Sequence, residues 1–186
     1  MISDNQYCFR ERHSTWMTLL NIIDQISQET ENKNISIDFF LDLSKAFDTI
    51  DHSLFLKKLE IYGIRGNALH WISSYLSDRS QCVSIDGVLS NSEKIIYGVS
   101  QGSVLGPLLF ILHIYDIVIV STILELIIFA DDTNVFAAHK NADQRISIIN
   151  TELIKVVNWL KINKLNVKKT TFFFSIPDRK KSFKMW

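Results

Sequence analysis

The stretch Ile35–Leu43 constrains this chain most. Ile35, Ile37, Phe39, Leu41 and Leu43 alternate with Ser36, Asp38, Phe40 and Asp42, and a period of two is that of a β-strand with one apolar face. Such a strand needs neighbours in a sheet and a layer to cover it. Two further apolar runs supply neighbours: Leu124–Ala130 and Thr133–Ala138 flank Asp131-Asp132, the pattern of a tight hairpin. Asn166–Ser175 reads as another strand.

Helical periodicity accounts for much of the rest. Residues 1–13 read as irregular. Ser14 is placed to cap a helix to about Thr30, with Trp16, Leu19, Leu20, Ile23 and Ile26 on its apolar face. Ser53 is placed to cap a short helix to Tyr62, which Gly63 can end, and Asn67–Ser77 suits another. Gln81–Gly87 and Glu93–Tyr97 read as a hairpin pair around a polar turn at Asp86–Asn91. A loop, Gly98–Gly102, leads into a helix from about Val104 to Val118, with Pro107 tolerable in its first turn. A long amphipathic helix follows, Ala142 to Ile162, with Ile146, Ile149, Leu153, Val156, Val157 and Leu160 on one face. Helices mixed with antiparallel strands in this order give an α+β fold, an antiparallel sheet with helices on one face.

The 186 residues, 47% hydrophobic and 22% charged, suit one globular domain spanning 1–186, or two closely packed subdomains. Lys+Arg and Asp+Glu are 20 each, and this neutrality argues weakly against a nucleic-acid binder. The distribution qualifies it. From Lys155 onward come Lys161, Lys164, Lys168, Lys169, Arg179, Lys180, Lys181 and Lys184, with Asp178 the only acid. A solvated terminus and a binding segment both fit such a tail. Cys8 and Cys82 lack metal-type spacing, the pattern of a reduced intracellular protein. No run reaches the roughly 18 apolar residues that span a bilayer. The start, MISDNQYCFRERHS, lacks the apolar core of a secretory signal. The expectation is therefore an intracellular chain, nuclear or cytoplasmic, with no membrane partner.

Asp42 interrupts the most apolar strand of the N-terminal half, and Asp131 and Asp132 sit at the turn of the second apolar hairpin. Phosphoryl transfer uses two divalent ions roughly 3.5–4 Å apart, and hard ions such as Mg²⁺ take oxygen ligands. Carboxylates on neighbouring strands suit that work, and would repel without a cation. Taken alone, though, Asp-Asp at a hairpin is ordinary turn chemistry.

The run Phe40-Leu41-Asp42-Leu43-Ser44-Lys45-Ala46-Phe47-Asp48 is one of five ordered motifs. The others are Gly98-Val99-Ser100-Gln101-Gly102-Ser103 through Phe110, Phe129-Ala130-Asp131-Asp132-Thr133, Asn163-Lys164-Leu165-Asn166 with Lys169-Thr170, and Gln6 to Thr15. In order and spacing the set resembles the reverse transcriptases of jockey-like and related non-LTR retrotransposons. The resemblance runs from about residue 6 to 175.

That resemblance implies a right-hand polymerase palm with partial fingers, its sheet backed by helices and its thumb absent. It implies an RNA-directed DNA polymerase with two Mg²⁺ ions (Mn²⁺ as a possible substitute), an RNA template, a DNA primer and deoxynucleoside triphosphates. Asp42 and Asp131 would hold the metals with Asp132 in support, and the Leu43 carbonyl would add a ligand. Lys169 would sit near the leaving pyrophosphate. Phe47 would gate the sugar, with Gln101 and Gly102 near the nucleotide and Arg10 facing template or triphosphate. Without the motif, Phe47 reads as a core aromatic and Lys169 as a solvated lysine. Cys8 stands where the family has glycine, and Ser100 where it has proline. His113 and Tyr115 also depart from the family pattern. The rival expectation is a decayed or domesticated fragment, a nucleic-acid-binding palm without turnover. Oligomeric state is not legible.

Overall fold

The computed structural model describes residues 5–8, 13–100, 102–139 and 142–175, with side chains 142–146 excepted. The chain forms two compact units: Met1–Ser44 with Ile114–Trp186, and Lys45–His113.

The first unit is built on a four-stranded antiparallel sheet in the order β6-β7-β1-β8. The central strand β1 is Ile35–Ser44, flanked by β7 (Asp132–His139) and β8 (Asn166–Ser175), with β6 (Glu125–Phe129) outside β7. Ile37, Leu41 and Leu43 of β1, Val135 and Ala137 of β7, and Leu126 and Ile128 of β6 are buried. Alternation places the first five on one face, opposite Asp42. The long helix α5, Ala142–Ile162, packs against β7 and buries Ile149, Val156 and Leu160. Its buried Glu152 accepts a 2.8 Å hydrogen bond from Ser121. Ile146, assigned to the same face from the sequence, lies outside the described side chains.

Helix α1, Thr15–Glu31, begins where expected: the Ser14 hydroxyl accepts from the Met17 N–H at 3.3 Å. The buried face differs from the expected one. Thr18 and Ile22 are buried, whereas Trp16, Leu19, Leu20 and Ile23 are 41–64% exposed. Periodicity shows that a helix has an apolar stripe but not which residues meet the sheet. The N-terminal segment, expected to be irregular, makes a parallel bridge from Gln6 to Ile128, with Tyr7 N–H donating to the Ile128 carbonyl at 2.9 Å.

The second unit pairs helices α2 (His52–Ile61) and α3 (Gly66–Leu76). The cap of α2 is Asp51, not Ser53. Its Oδ1 accepts from Leu54 N–H at 2.9 Å and from the Ser53 hydroxyl at 2.6 Å. The backbone is extended at Asp51 (φ −74°, ψ 116°) and helical from His52, so Ser53 already lies inside the first turn. The expected single hairpin is two nested ladders, Ser80–Gln81 (β2) with Glu93–Lys94 (β5), and Ser84–Ile85 (β3) with Val88–Leu89 (β4). The inner one closes through Asp86 and Gly87, both with left-handed φ (50° and 81°). Helix α4, Gly106–Ile114, is shorter than expected and gives way to a 3₁₀ turn at Tyr115–Ile119. Pro107 falls in its first turn, where a missing N–H costs little.

Candidate active site

One end of the sheet in the first unit brings Asp42, Asp131, Asp132 and Lys169 together. Antiparallel pairing sets Asp42 opposite Asp132 on β7 and opposite Lys169 on β8. Directly opposed residues project to the same face. Phe129 pairs with Asp132, so the β6–β7 turn consists of Ala130 and Asp131, one position earlier than the Asp131-Asp132 expected from the sequence. Ala130 carries φ +55°, the left-handed conformation that a two-residue hairpin demands. Asp131 thus stands in the turn, immediately before Asp132.

These groups feel one another. Partial burial of its carboxyl, then the charges of Asp131 and Asp42, push the Asp132 pKa up. The donors are all oxygen and carry like charge on rigid adjacent strands, a set that fits a hard divalent cation. Among the described residues no three ligating side chains close into a cage. The Leu43 side chain is hydrocarbon, so its main-chain carbonyl is the one oxygen it can offer a cation. It lies where the β1–β8 register shifts, and ladder bonding is interrupted at such a bulge.

The shift has a further effect that sequence reading missed. Asp42 pairs with Lys169 and Leu43 with Val167, so Lys168 is the extra residue. Its Nζ comes to 3.8 Å from Asp42 Oδ2. Both groups are substantially exposed, and such a pair contributes about 0–1 kcal/mol. Two adjacent lysines therefore border Asp42, where the resemblance implied one. No sequence pattern marks a bulge here.

Alongside lies a cavity of about 360 Å³, with Asp42, Asp132 and Lys169 at its lining and Thr18, Leu19 and Ile22 of α1 across it. Helix α1 therefore lies on the carboxylate side of the sheet; Gln25 also donates to Glu125 at 2.6 Å. That side is not left bare, as helices on one face alone would leave it. Deeper on the same face is Asp38, 2% exposed, missed as a candidate because it alternates like any polar strand residue. Burial pushes its pKa up to about 6, with the Asn134 amide partly opposing. The Asn134 Nδ2 lies 3.4 Å from Asp38 Oδ1.

Phe47 and Gly102 belong to the second unit. Phe47 is half-buried, its ring 4.5 Å from that of Phe110, and its carbonyl accepts from Val99 N–H at 2.9 Å. Gly102 has φ +80°, which only glycine adopts freely. Ser100 is held more tightly than loss of the family proline suggests. Its hydroxyl accepts from Arg79 at 3.2 Å and its carbonyl accepts from Ser103 Oγ at 2.7 Å. Arg10 and Gln101 lie outside the described residues. Among those described, no helix is long and apolar enough to cross a membrane.

Residues 1–185 match the family model described as reverse transcriptase (RNA-dependent DNA polymerase). The chain is similar to the RNA-directed DNA polymerase from mobile element jockey of Drosophila melanogaster, 31% identical over 149 residues, covering 73% of this chain and 16% of that protein. It is also similar to the probable RNA-directed DNA polymerase from transposon X-element of the same species, 32% identical over 113 residues, covering 61% of this chain and 12% of that protein. The chain therefore spans less than a fifth of these relatives. Among solved structures, apo telomerase from Candida tropicalis, truncated from its C-terminal domain, aligns with a TM-score of 0.61 and 15% identity, covering 92% of this chain and 37% of the other. Telomerase from Candida albicans, in complex with a fragment of telomeric RNA, aligns with a TM-score of 0.57 over 92% of this chain and 31% of the other. At 15% identity these support the fold alone.

Proposed function

We propose, from the premise that this chain belongs to the reverse transcriptase family, that its carboxylate-bearing sheet end is the nucleotidyl-transfer centre of an RNA-directed DNA polymerase of a non-LTR retrotransposon. The observation that carries this reading is the cross-strand placement of Asp42 against Asp132 and Lys169, with Asp131 in the adjoining turn. The reaction is attack of a primer 3′-hydroxyl on the α-phosphorus of a deoxynucleoside triphosphate, with RNA as template.

Asp42, Asp131 and Asp132, with the Leu43 carbonyl, would hold two Mg²⁺ or Mn²⁺ ions, whose charge would stabilise the attacking and leaving oxygens. Lys169, which pairs with Asp42 across the β1–β8 ladder, would neutralise the leaving pyrophosphate or hand it a proton. Phe47 is proposed as the sugar gate on the motif alone: a bulky ring there would leave no room for a 2′-hydroxyl and would favour deoxynucleotides. Gly102 lets main chain approach the nucleotide closely. For Gln101 and Arg10, which lie outside the described residues, the proposal rests on the motifs alone: Gln101 would serve the nucleotide and Arg10 the template or triphosphate. The place of work is inside the cell, in nucleus or cytoplasm, where template RNA and triphosphates are present.

Primer extension tests this reading. The chain is incubated with an RNA template, a DNA primer, deoxynucleoside triphosphates and Mg²⁺. Extension that is lost in EDTA and restored by Mg²⁺ or Mn²⁺ is expected. Metal-independent extension, or none under any divalent ion, would count against it.

A further inference from the structure

The second unit carries an exposed aromatic and cationic ladder that the polymerase reading leaves unused. Trp71 and Tyr75 sit one helical turn apart on α3, spacing that makes them neighbours on the surface. Their rings stack nearly parallel, with centroids 6.1 Å apart and planes at 18°. The Arg79 guanidinium continues the ladder, 5.4 Å above the Tyr75 ring. Trp71 is 58% exposed, so a large flat face is left in water at the outer end.

The inner end opens on charge. Arg79 also lines a cavity of about 730 Å³ together with Lys45, His52 and Lys94, with Asp48 as its acid. The guanidinium is fixed by its hydrogen bond to the Ser100 hydroxyl. The related retrotransposon motif has proline at that position, which offers no hydroxyl, so this tether is a feature of the present sequence.

A flat aromatic platform that continues into a positively lined groove matches one chemistry closely. Single-stranded nucleic acid offers planar bases for stacking and phosphates at regular spacing for cations. A duplex hides its base faces and cannot use the platform. The geometry points to a single-stranded nucleic-acid site in which a base stacks on Trp71 and the neighbouring phosphates lie along Arg79, Lys94 and Lys45. This rests on the polymerase reading for its biological sense: the strand is unpaired template. The stacking is indifferent to base identity, because every base has a π face. The Arg79–Ser100 bond links the strand site to the loop that carries Gly102.

The test is fluorescence anisotropy on this chain in EDTA. The labelled probes are a 12-nucleotide oligo-U, a 12-nucleotide oligo-dT and an abasic sugar-phosphate strand of equal length. Trp71→Ala is expected to weaken both base-bearing strands about tenfold and leave the abasic strand unchanged. Trp71→Phe retains most of the affinity. Arg79→Gln weakens all three strands and lowers the slope of log affinity against log salt by about 0.7, the value for one single-strand phosphate contact. Thermal unfolding identifies any variant that misfolds, and Trp71→Gln is the replacement if Trp71→Ala is one.

Equal losses for oligo-U and oligo-dT support a site blind to the sugar. A loss confined to one supports the site and names its strand. Unchanged affinity in folded Trp71→Ala, or equal parent affinity for abasic and base-bearing strands, would overturn the proposal, and so would undetectable binding by the parent. Asp131→Asn separates this from the catalytic reading: it binds the oligonucleotides like the parent and is scored by extension alone.

Discussion

Asp42 and Asp132 stand directly opposite each other across the β1–β7 ladder, with Asp131 in the turn beside them. Like charges opposed across an antiparallel pair destabilise it by roughly 0.2–1 kcal/mol. Asp132→Asn is therefore expected to raise the thermal midpoint slightly in EDTA. Mg²⁺ is expected to raise the midpoint of the parent more than that of the variant. Calorimetry with and without Mg²⁺ measures both, and a variant less stable than its parent in EDTA would contradict the assignment.

Asp38 supplies a pH prediction. Its folded pKa is raised from 3.8 to about 6. The folded state therefore holds the proton more tightly than the unfolded chain. Below about pH 4 both states are protonated and there is no penalty. As pH rises through the window from about 4 to 6, stability falls, and above it the cost of ionising the buried carboxyl is fully present. Asp38→Asn is expected to flatten this slope and to stabilise the protein at pH 7 by on the order of 3 kcal/mol. The Asn134 Oδ1, unbonded among the described residues, is available to the new amide. Urea midpoints at pH 4, 5, 6 and 7 check it.

Two glycines separate strain from collision. Gly98 and Gly102 both have φ +80°, but a Cβ on Gly98 would lie 2.8 Å from the Asp48 carbonyl oxygen and 2.9 Å from its Cα, whereas one on Gly102 meets nothing within 4 Å. Gly102→Ala is expected to cost about 1–2 kcal/mol of left-handed strain. Gly98→Ala adds overpacking of about 1–3 kcal/mol against backbone that cannot move aside. Equal losses in chemical unfolding would show that the Asp48 contact is not rigid.

Phe47 carries the sugar prediction. In extension assays Phe47→Ala should raise ribonucleotide use relative to deoxynucleotide use. The parallel loss of packing on Phe110 lowers stability, so selectivity is compared as a ratio within each protein. An unchanged ratio would remove the gate role.

Much of the first unit is legible in the sequence because short-range patterns determine it. Alternation gives β1, and the apolar runs around Asp131 give β6 and β7. The carboxylates stand out because motif order adds to turn chemistry that alone means little. What is not legible depends on tertiary choice. Nothing local says that Thr18 and Ile22, rather than Trp16 and Leu20, meet the sheet. Nothing local says that Lys168 bulges toward Asp42. Asp51 and Ser53 are both plausible caps, and only geometry selects Asp51. The Trp71–Tyr75 spacing is readable as one helical turn, but the parallel stacking of the two rings, and the return of Arg79 onto Tyr75 from beyond the helix end, are not.

The most direct test of the catalytic centre is single-turnover extension by Asp131→Asn on an RNA template, with template–primer affinity measured in parallel. The account predicts a rate lower by on the order of a thousandfold, the scale for losing a principal charge-stabilising group. It predicts nearly unchanged affinity, because Asp131 contacts no phosphate in this reading. Extension by Asp131→Asn at the parent rate would contradict it.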